Sequence, residues 1–224
     1  MAAAKSNTNW FAIGVSAAVV VVLVVLGGLV VFLNNQATAP GATPTSNGAF
    51  DAEAGSITLG EADAADTVAV FVDFQCPACK AFEDQFGEAL AAKAEDGSIA
   101  LSYHPIAILD RFSQNTKYSS RSAGAAVCVA ESDPDLYLAY ANTLFQNQPA
   151  ENTSGLTNEQ LAAFATEVGA DDAVECINDE TYVDFGEAQA KANEIGGTPT
   201  VEINGTRLDL QNQADMKKLT DLLG

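Results

Sequence analysis

The stretch Asp73–Glu83, DFQCPACKAFE, decides how this chain is read. It places two cysteines, Cys76 and Cys79, at the junction of two different patterns. Before them runs TVAVFVDF (Thr67–Phe74), a nearly continuous apolar run rich in β-branched and aromatic residues, as a buried central strand requires. After them Cys79, Phe82, Phe86 and Leu90 recur at spacings of 3, 4 and 4, one apolar stripe of a helix expected over Pro77–Ala94. Cys76 therefore sits at a helix start, where unpaired backbone N–H groups and the positive end of the helix dipole favour a thiolate. Pro77 suits the first helical turn, which does not use its missing N–H. Cys79 lies one turn on, along the buried stripe, and is expected to be the shielded resolving thiol.

Three readings compete for Cys76-Pro77-Ala78-Cys79. A structural zinc site needs four Cys or His ligands, usually as two close pairs. The remaining candidates, Cys128, Cys176 and His104, supply no second pair of that kind, so no metal is expected. A purely structural Cys76–Cys79 bridge would close a very short loop and stabilise little. A redox pair is what a CxxC between a strand and a helix indicates. His104, just before Pro105, is read as a satisfied strand-end residue rather than a catalyst.

Working outward, Phe11–Leu33 is a 23-residue run without a charge. That is long enough for the roughly 30 Å of a bilayer core and longer than the apolar segment of a signal peptide. The chain is thus read as a cytoplasmic N-terminus (1–10), a transmembrane anchor (11–33), a flexible Pro/Gly/Ser/Thr/Asn-rich linker (34–50) and an extracytoplasmic domain (51–224). Lys5 is the only basic residue before Lys80, which places the N-terminus inside. Outside the cytoplasm disulfides persist, so four cysteines can form two pairs. All 30 acidic residues and nine of the ten basic ones follow Asn34, a net charge of −21 that repels phosphate backbones and excludes nucleic acid as a partner.

The domain reads as strand (Ser56–Gly60), strand (Thr67–Phe74), helix, strand (Ser98–Leu109), a helical block over about 112–195, then strand, strand and helix. Asp133 before Pro134, and Thr157 with Gln160, mark helix starts. Asn204-Gly205 marks a tight hairpin turn between the last two strands. The order fits an α/β fold, a mixed sheet with helices on both faces and a helical domain inserted at one side.

VFVDFQCPACKAFE together with GGTPTVEING resembles the thioredoxin superfamily, and within it the DsbA-like exported thiol oxidases of the membrane-anchored actinobacterial type. The resemblance covers about Ser56–Gly224. It implies a thioredoxin-like fold in which a cis Thr198–Pro199 bond faces the cysteines, with the Thr198 backbone pairing to substrate and the Pro199 ring blocking metals. It makes Cys76 and Cys79 catalytic and Pro77-Ala78 the dipeptide that tunes the potential. Val70 stands where thioredoxins carry a buried acid. Asp73 is expected either to assist proton transfer near Cys79 or to face water as a strand-end acid. Cys128 and Cys176, both in the helical block, are expected to form a structural disulfide, the alternatives being two buried free thiols or a shuttle pair. The implied activity is donation of disulfides to reduced exported proteins, without a cofactor. Reoxidation is expected from a quinone-linked membrane partner resembling vitamin K epoxide reductase. Two alternatives are an exported reductase, as in cytochrome c maturation, and a membrane-tethered chaperone or binding module that kept the fold.

Overall fold

In the computed structural model the described residues are Leu26, 41–61 and 63–224. The expected N-terminus (1–10), the anchor (11–33, Leu26 apart) and the start of the linker (34–40) lie outside them. Among the described residues no helix is long and apolar enough to cross a membrane.

A six-stranded sheet is ordered β1-β2-β4-β3-β5-β6, formed by β1 (Phe50–Asp51), β2 (Ser56–Leu59), β3 (Asp66–Val72), β4 (Ile99–Pro105), β5 (Thr200–Ile203) and β6 (Thr206–Arg207). The strand that leads into the cysteines, β3, is central, parallel to β4 and antiparallel to β5. Its alternation explains the continuous apolar run, because both faces are covered. Val68, Val70 and Val72 enter the main core with Cys79, Phe82, Phe86 and Leu90. Phe71 turns the other way and meets Ile106, Ala190 and Ile195. Val70, at the place of the thioredoxin acid, is simply core.

The helix after the cysteines is α1 (Pro77–Phe82), which passes through a π-helical turn (Glu83–Gly87) into α2 (Glu88–Glu95). The helical block comprises α3 (Tyr118–Ser132), α4 (Tyr137–Gln146), α5 (Asn158–Glu167), α6 (Val174–Asn178) and α7 (Phe185–Ala192). The terminal helix is α8 (Gln213–Leu223). The helix starts read from sequence are in place. Thr157 and Gln160 form a reciprocal capping box on α5, and Asp133 accepts from the Asp135 amide. Asn204 and Gly205 both take positive φ, 52° and 72°, in the two-residue turn between β5 and β6.

The axis of the helical domain is α3, buried over most of its length. Its small residues let neighbours approach closely. A Cβ on Gly124 would stand 2.8 Å from the Tyr182 carbonyl oxygen, so that contact needs glycine. Cys128 of α3 is joined to Cys176 of α6 by a disulfide with Cα atoms 5.8 Å apart. The sequence expectation of a bridge inside the helical block is met.

Two boundaries differ from the sequence reading. The flexible linker expected to reach residue 50 does not. Ala42 donates to the Thr181 carbonyl at 3.0 Å, Thr45 to Glu131 Oε1 at 2.7 Å, and the Asn47 side chain to the Glu131 carbonyl. Phe50 is buried edge-on against Phe185 and starts the sheet. A polar composition hid this, because the partners are two backbone carbonyls, the Glu131 carboxylate and one aromatic ring, all distant in sequence. The strand expected over Ser98–Leu109 stops at Pro105. The amides of Ile108 and Leu109 turn away from the sheet to Asp73 Oδ2, at 2.9 and 3.2 Å.

Candidate active site

Cys76 caps α1 with extended backbone angles (φ −81°, ψ 116°), and Pro77 occupies the first turn. Its amide donates to the Asp73 carbonyl at 2.9 Å, which closes the loop between strand and helix. Cys76 and Cys79 are both free thiols here, buried to 7% and 0% exposure. The Thr198–Pro199 bond is cis, and the Cys76 thiol donates to the Thr198 carbonyl at 3.3 Å. Segments 122 residues apart in sequence thus meet at one sulfur.

The two sulfurs differ sharply in acidity. Cys76 is brought down to about 6, chiefly by the hydrogen bond from the Cys79 thiol, against the opposing effect of burial. The Thr198 hydroxyl and the amides of Cys79 and Ala78 lower it further. Burial raises Cys79 well above the ordinary thiol range, and Cys76 reinforces this. One sulfur is ready to be a thiolate at neutral pH and the other holds its proton, the asymmetry that thiol–disulfide exchange needs.

The carboxyl group of Asp73 does not face water, and its hydrogen bonds go to groups other than Cys79. The residue is fully buried. Its carboxylate accepts from the amides of Gln75, Ile108 and Leu109 and from the Ser119 hydroxyl. Burial raises its pKa, while these bonds lower it. Cys79 is reached instead by the Asp73 amide, which donates to Sγ at 3.5 Å. The carboxylate ties the loop after β4 to the start of α3. His104 is buried, stacked on Phe71 at 4.2 Å, and pushed down to about 4 by burial, so it stays neutral at physiological pH.

Three residues of the site were missed in the sequence. Gln75 and Gln148 tie the redox loop to the helical domain, and no local pattern marks them. Glu83 does carry a signal. It lies four residues after Cys79, on the buried side of the stripe. The π-helical turn directs it at Tyr103, whose hydroxyl donates to Glu83 Oε2 at 2.9 Å. Burial pushes this carboxyl up to about 7. Its unfolded value is the ordinary 4.5. The folded form therefore holds an extra proton between those values, and the stabilising contribution present below about 4.5 is lost as pH rises through about 7. Glu83→Gln is expected to remove that loss and be about 3 kcal/mol more stable than the parent at pH 8, with little difference at pH 4.5. Urea unfolding at the two pH values checks it, and an equal difference at both would sink the assignment.

The residues 52–221 match the family model described as thioredoxin. The chain belongs to the thioredoxin family. Within this family it is DsbA-like. It is 30% identical to the oxidised DsbA of Mycobacterium tuberculosis, with a TM-score of 0.65 over 75% of this chain and 93% of that one. It is 28% identical over 177 residues to disulfide bond formation protein D of Bacillus subtilis (strain 168), covering 75% of this chain and 76% of that protein. MdbA, a thiol-disulfide oxidoreductase of Actinomyces oris, is 25% identical with a TM-score of 0.60, over 76% of this chain and 87% of that one. The DsbA-like chain is a thiol-disulfide oxidoreductase, with its thioredoxin-like sheet interrupted by the helical domain.

Proposed function

We propose that this chain is a membrane-tethered extracytoplasmic oxidase that donates the Cys76–Cys79 disulfide to reduced exported proteins. The observation that carries the reading is the placement of the two thiols, Cys76 at the start of α1 against the Thr198 carbonyl of the cis Thr198–Pro199 segment and Cys79 fully buried one turn on, which brings Cys76 down to about 6 and raises Cys79 well above the thiol range. A thiol at about 6 is about nine-tenths thiolate at pH 7. Relative to an ordinary thiol this favours the reduced enzyme roughly tenfold, or about 30 mV toward a more oxidising two-electron couple.

The exchange starts from the oxidised enzyme. A client thiolate attacks Cys76 Sγ, and the electron pair of the S–S bond leaves with Cys79, which takes up a proton in its buried position. A second client thiolate attacks the client sulfur of the mixed disulfide, and Cys76 departs as a thiolate. The client loses two electrons and two protons in forming its disulfide; the enzyme gains the two electrons and one proton, held on Cys79, and the other proton goes to solvent while Cys76 stays mainly thiolate at pH 7. Beside the cysteines a cleft of about 380 Å³ is lined by Ala78, Phe82, Phe86, Pro199, Leu210 and Met216, among others. Its lining, which mixes these apolar side chains with Gln85, Thr198 and Gln211, suits unfolded segments, which expose apolar side chains and backbone polar groups together. The backbone of Thr198 is proposed to pair with such a segment as it crosses the cysteines.

The apolar run 11–33, with Lys5 before it, supports an anchor that leaves the catalytic domain outside. A quinone-linked membrane partner resembling vitamin K epoxide reductase would then take the electrons and restore the disulfide. The test is the reduction potential, measured by equilibrating Cys76–Cys79 with glutathione. A value of about −120 to −180 mV is expected of a disulfide donor. A value near about −270 mV would turn the assignment into an exported reductase.

A further inference from the structure

The redox loop is not held by its own hydrogen bonds alone. Gln148, two residues beyond the end of α4, reaches out of the helical domain with both hydrogens of one amide nitrogen. It donates to the Phe74 carbonyl at 3.0 Å and to the Cys76 carbonyl at 2.9 Å. These carbonyls bracket Gln75. Gln75 reaches back, its side chain donating to the Phe112 carbonyl at 2.9 Å. The rings of Phe74 and Phe145 pack at 5.0 Å and bring the end of α4 against the loop. The Cys76 carbonyl also accepts from the Lys80 amide at 3.2 Å, within the first turn of α1.

We propose that Gln148 is a positioning residue of the redox site, holding the Cys76 peptide so that the amides of Ala78 and Cys79 face the Cys76 sulfur. The inference deepens the oxidase reading and rests on it. Both contacts are donations to carbonyls, so Gln148 places its positive amide hydrogens beside the peptide that carries the nucleophile. It also quenches the partial negative charge of the Cys76 carbonyl, which belongs to the residue that carries the sulfur. When these donors are removed, the Cys76 carbonyl is held by the Lys80 amide alone, and the field at Sγ becomes less positive. The proximity of the sulfur to the helix start, by itself, then does less to favour the thiolate. The helical domain is thereby assigned a part in the chemistry beyond covering the site.

The test uses the full-length reduced chain and follows the Cys76 thiolate by its ultraviolet absorbance and by alkylation rate across pH. Gln148→Met keeps the length and removes the donors. It is expected to move the thiolate midpoint up by about one pH unit, which lowers alkylation at pH 6 about fivefold. Gln148→Glu keeps the shape and sets a negative charge against both carbonyls, and its midpoint is expected to rise further. Gln114→Ala, which removes an exposed hydrogen bond to the Asn152 carbonyl, is the control and is expected to leave the midpoint unchanged. A midpoint that stays at the parent value in both Gln148 variants, whatever happens to their melting temperatures, overturns the proposal. That result would leave the oxidase reading intact, because that reading is decided by the potential of the parent protein.

Discussion

Cys76→Ser is expected to reduce disulfide transfer to a reduced two-cysteine client to the uncatalysed background. Cys76 Sγ is the atom that a client thiolate must reach. It is the sulfur at the helix start, beside the Thr198 carbonyl, and the one whose acidity is raised, to about 6. A serine hydroxyl forms no disulfide at all, so no other group in the site can substitute. Cys79→Ala is expected to fail differently. Its Cys76 still attacks an oxidised client, but the mixed disulfide accumulates because the resolving thiol is gone. Its thiolate midpoint is also expected to lie above about 6, since the Cys79 hydrogen bond is the largest cause of the lowering. Gel analysis of trapped complexes and a pH titration of alkylation separate the two variants. Full biological activity in Cys76→Ser would mean that the fold serves as a chaperone or binding module instead.

The second large effect is expected in stability. The Cys128–Cys176 bridge closes a loop of 48 residues, for which chain entropy predicts about 4 kcal/mol. The structure shows why the bridge matters locally. α6 is only five residues long, far below the length at which a helix is stable by itself, and the disulfide ties it to the buried axis α3. Cys128→Ala/Cys176→Ala is expected to melt roughly 8–16 °C below the parent, as monitored by circular dichroism. Transfer by Cys76–Cys79 at low temperature is expected to be unchanged, because neither cysteine of the bridge touches the redox loop. A fall in melting temperature of less than about 2 °C would show that packing alone holds α6. Loss of transfer at low temperature would revive the shuttle pair.

The redox pair, its strand and its helix could be read in the sequence because they are local. A β-type run, a CxxC and a stripe at 79, 82, 86 and 90 fall within 24 residues. The helix starts at Asp133 and Thr157 and the turn at Asn204-Gly205 are local as well, since each is satisfied by its own neighbours. The two misplaced boundaries have a common cause. Gly41–Phe50 reads as linker, and Ile106–Leu109 as strand, until Thr181, Glu131 and Asp73 supply partners from distant parts of the chain.

The sequence by itself determined the order of elements and the identity of the two reactive sulfurs. It also indicated their asymmetry, because a helix start and a buried stripe are set by spacing alone. The tertiary structure decided what surrounds those sulfurs. It assigned Asp73 to the loop after β4, placed Glu83 against Tyr103 and brought Gln148 to the Cys76 carbonyl. These assignments depend on which donor faces which acceptor after the chain has closed on itself. A buried polar group takes whatever partner the packing presents, and the spacing of residues along the chain does not encode that choice.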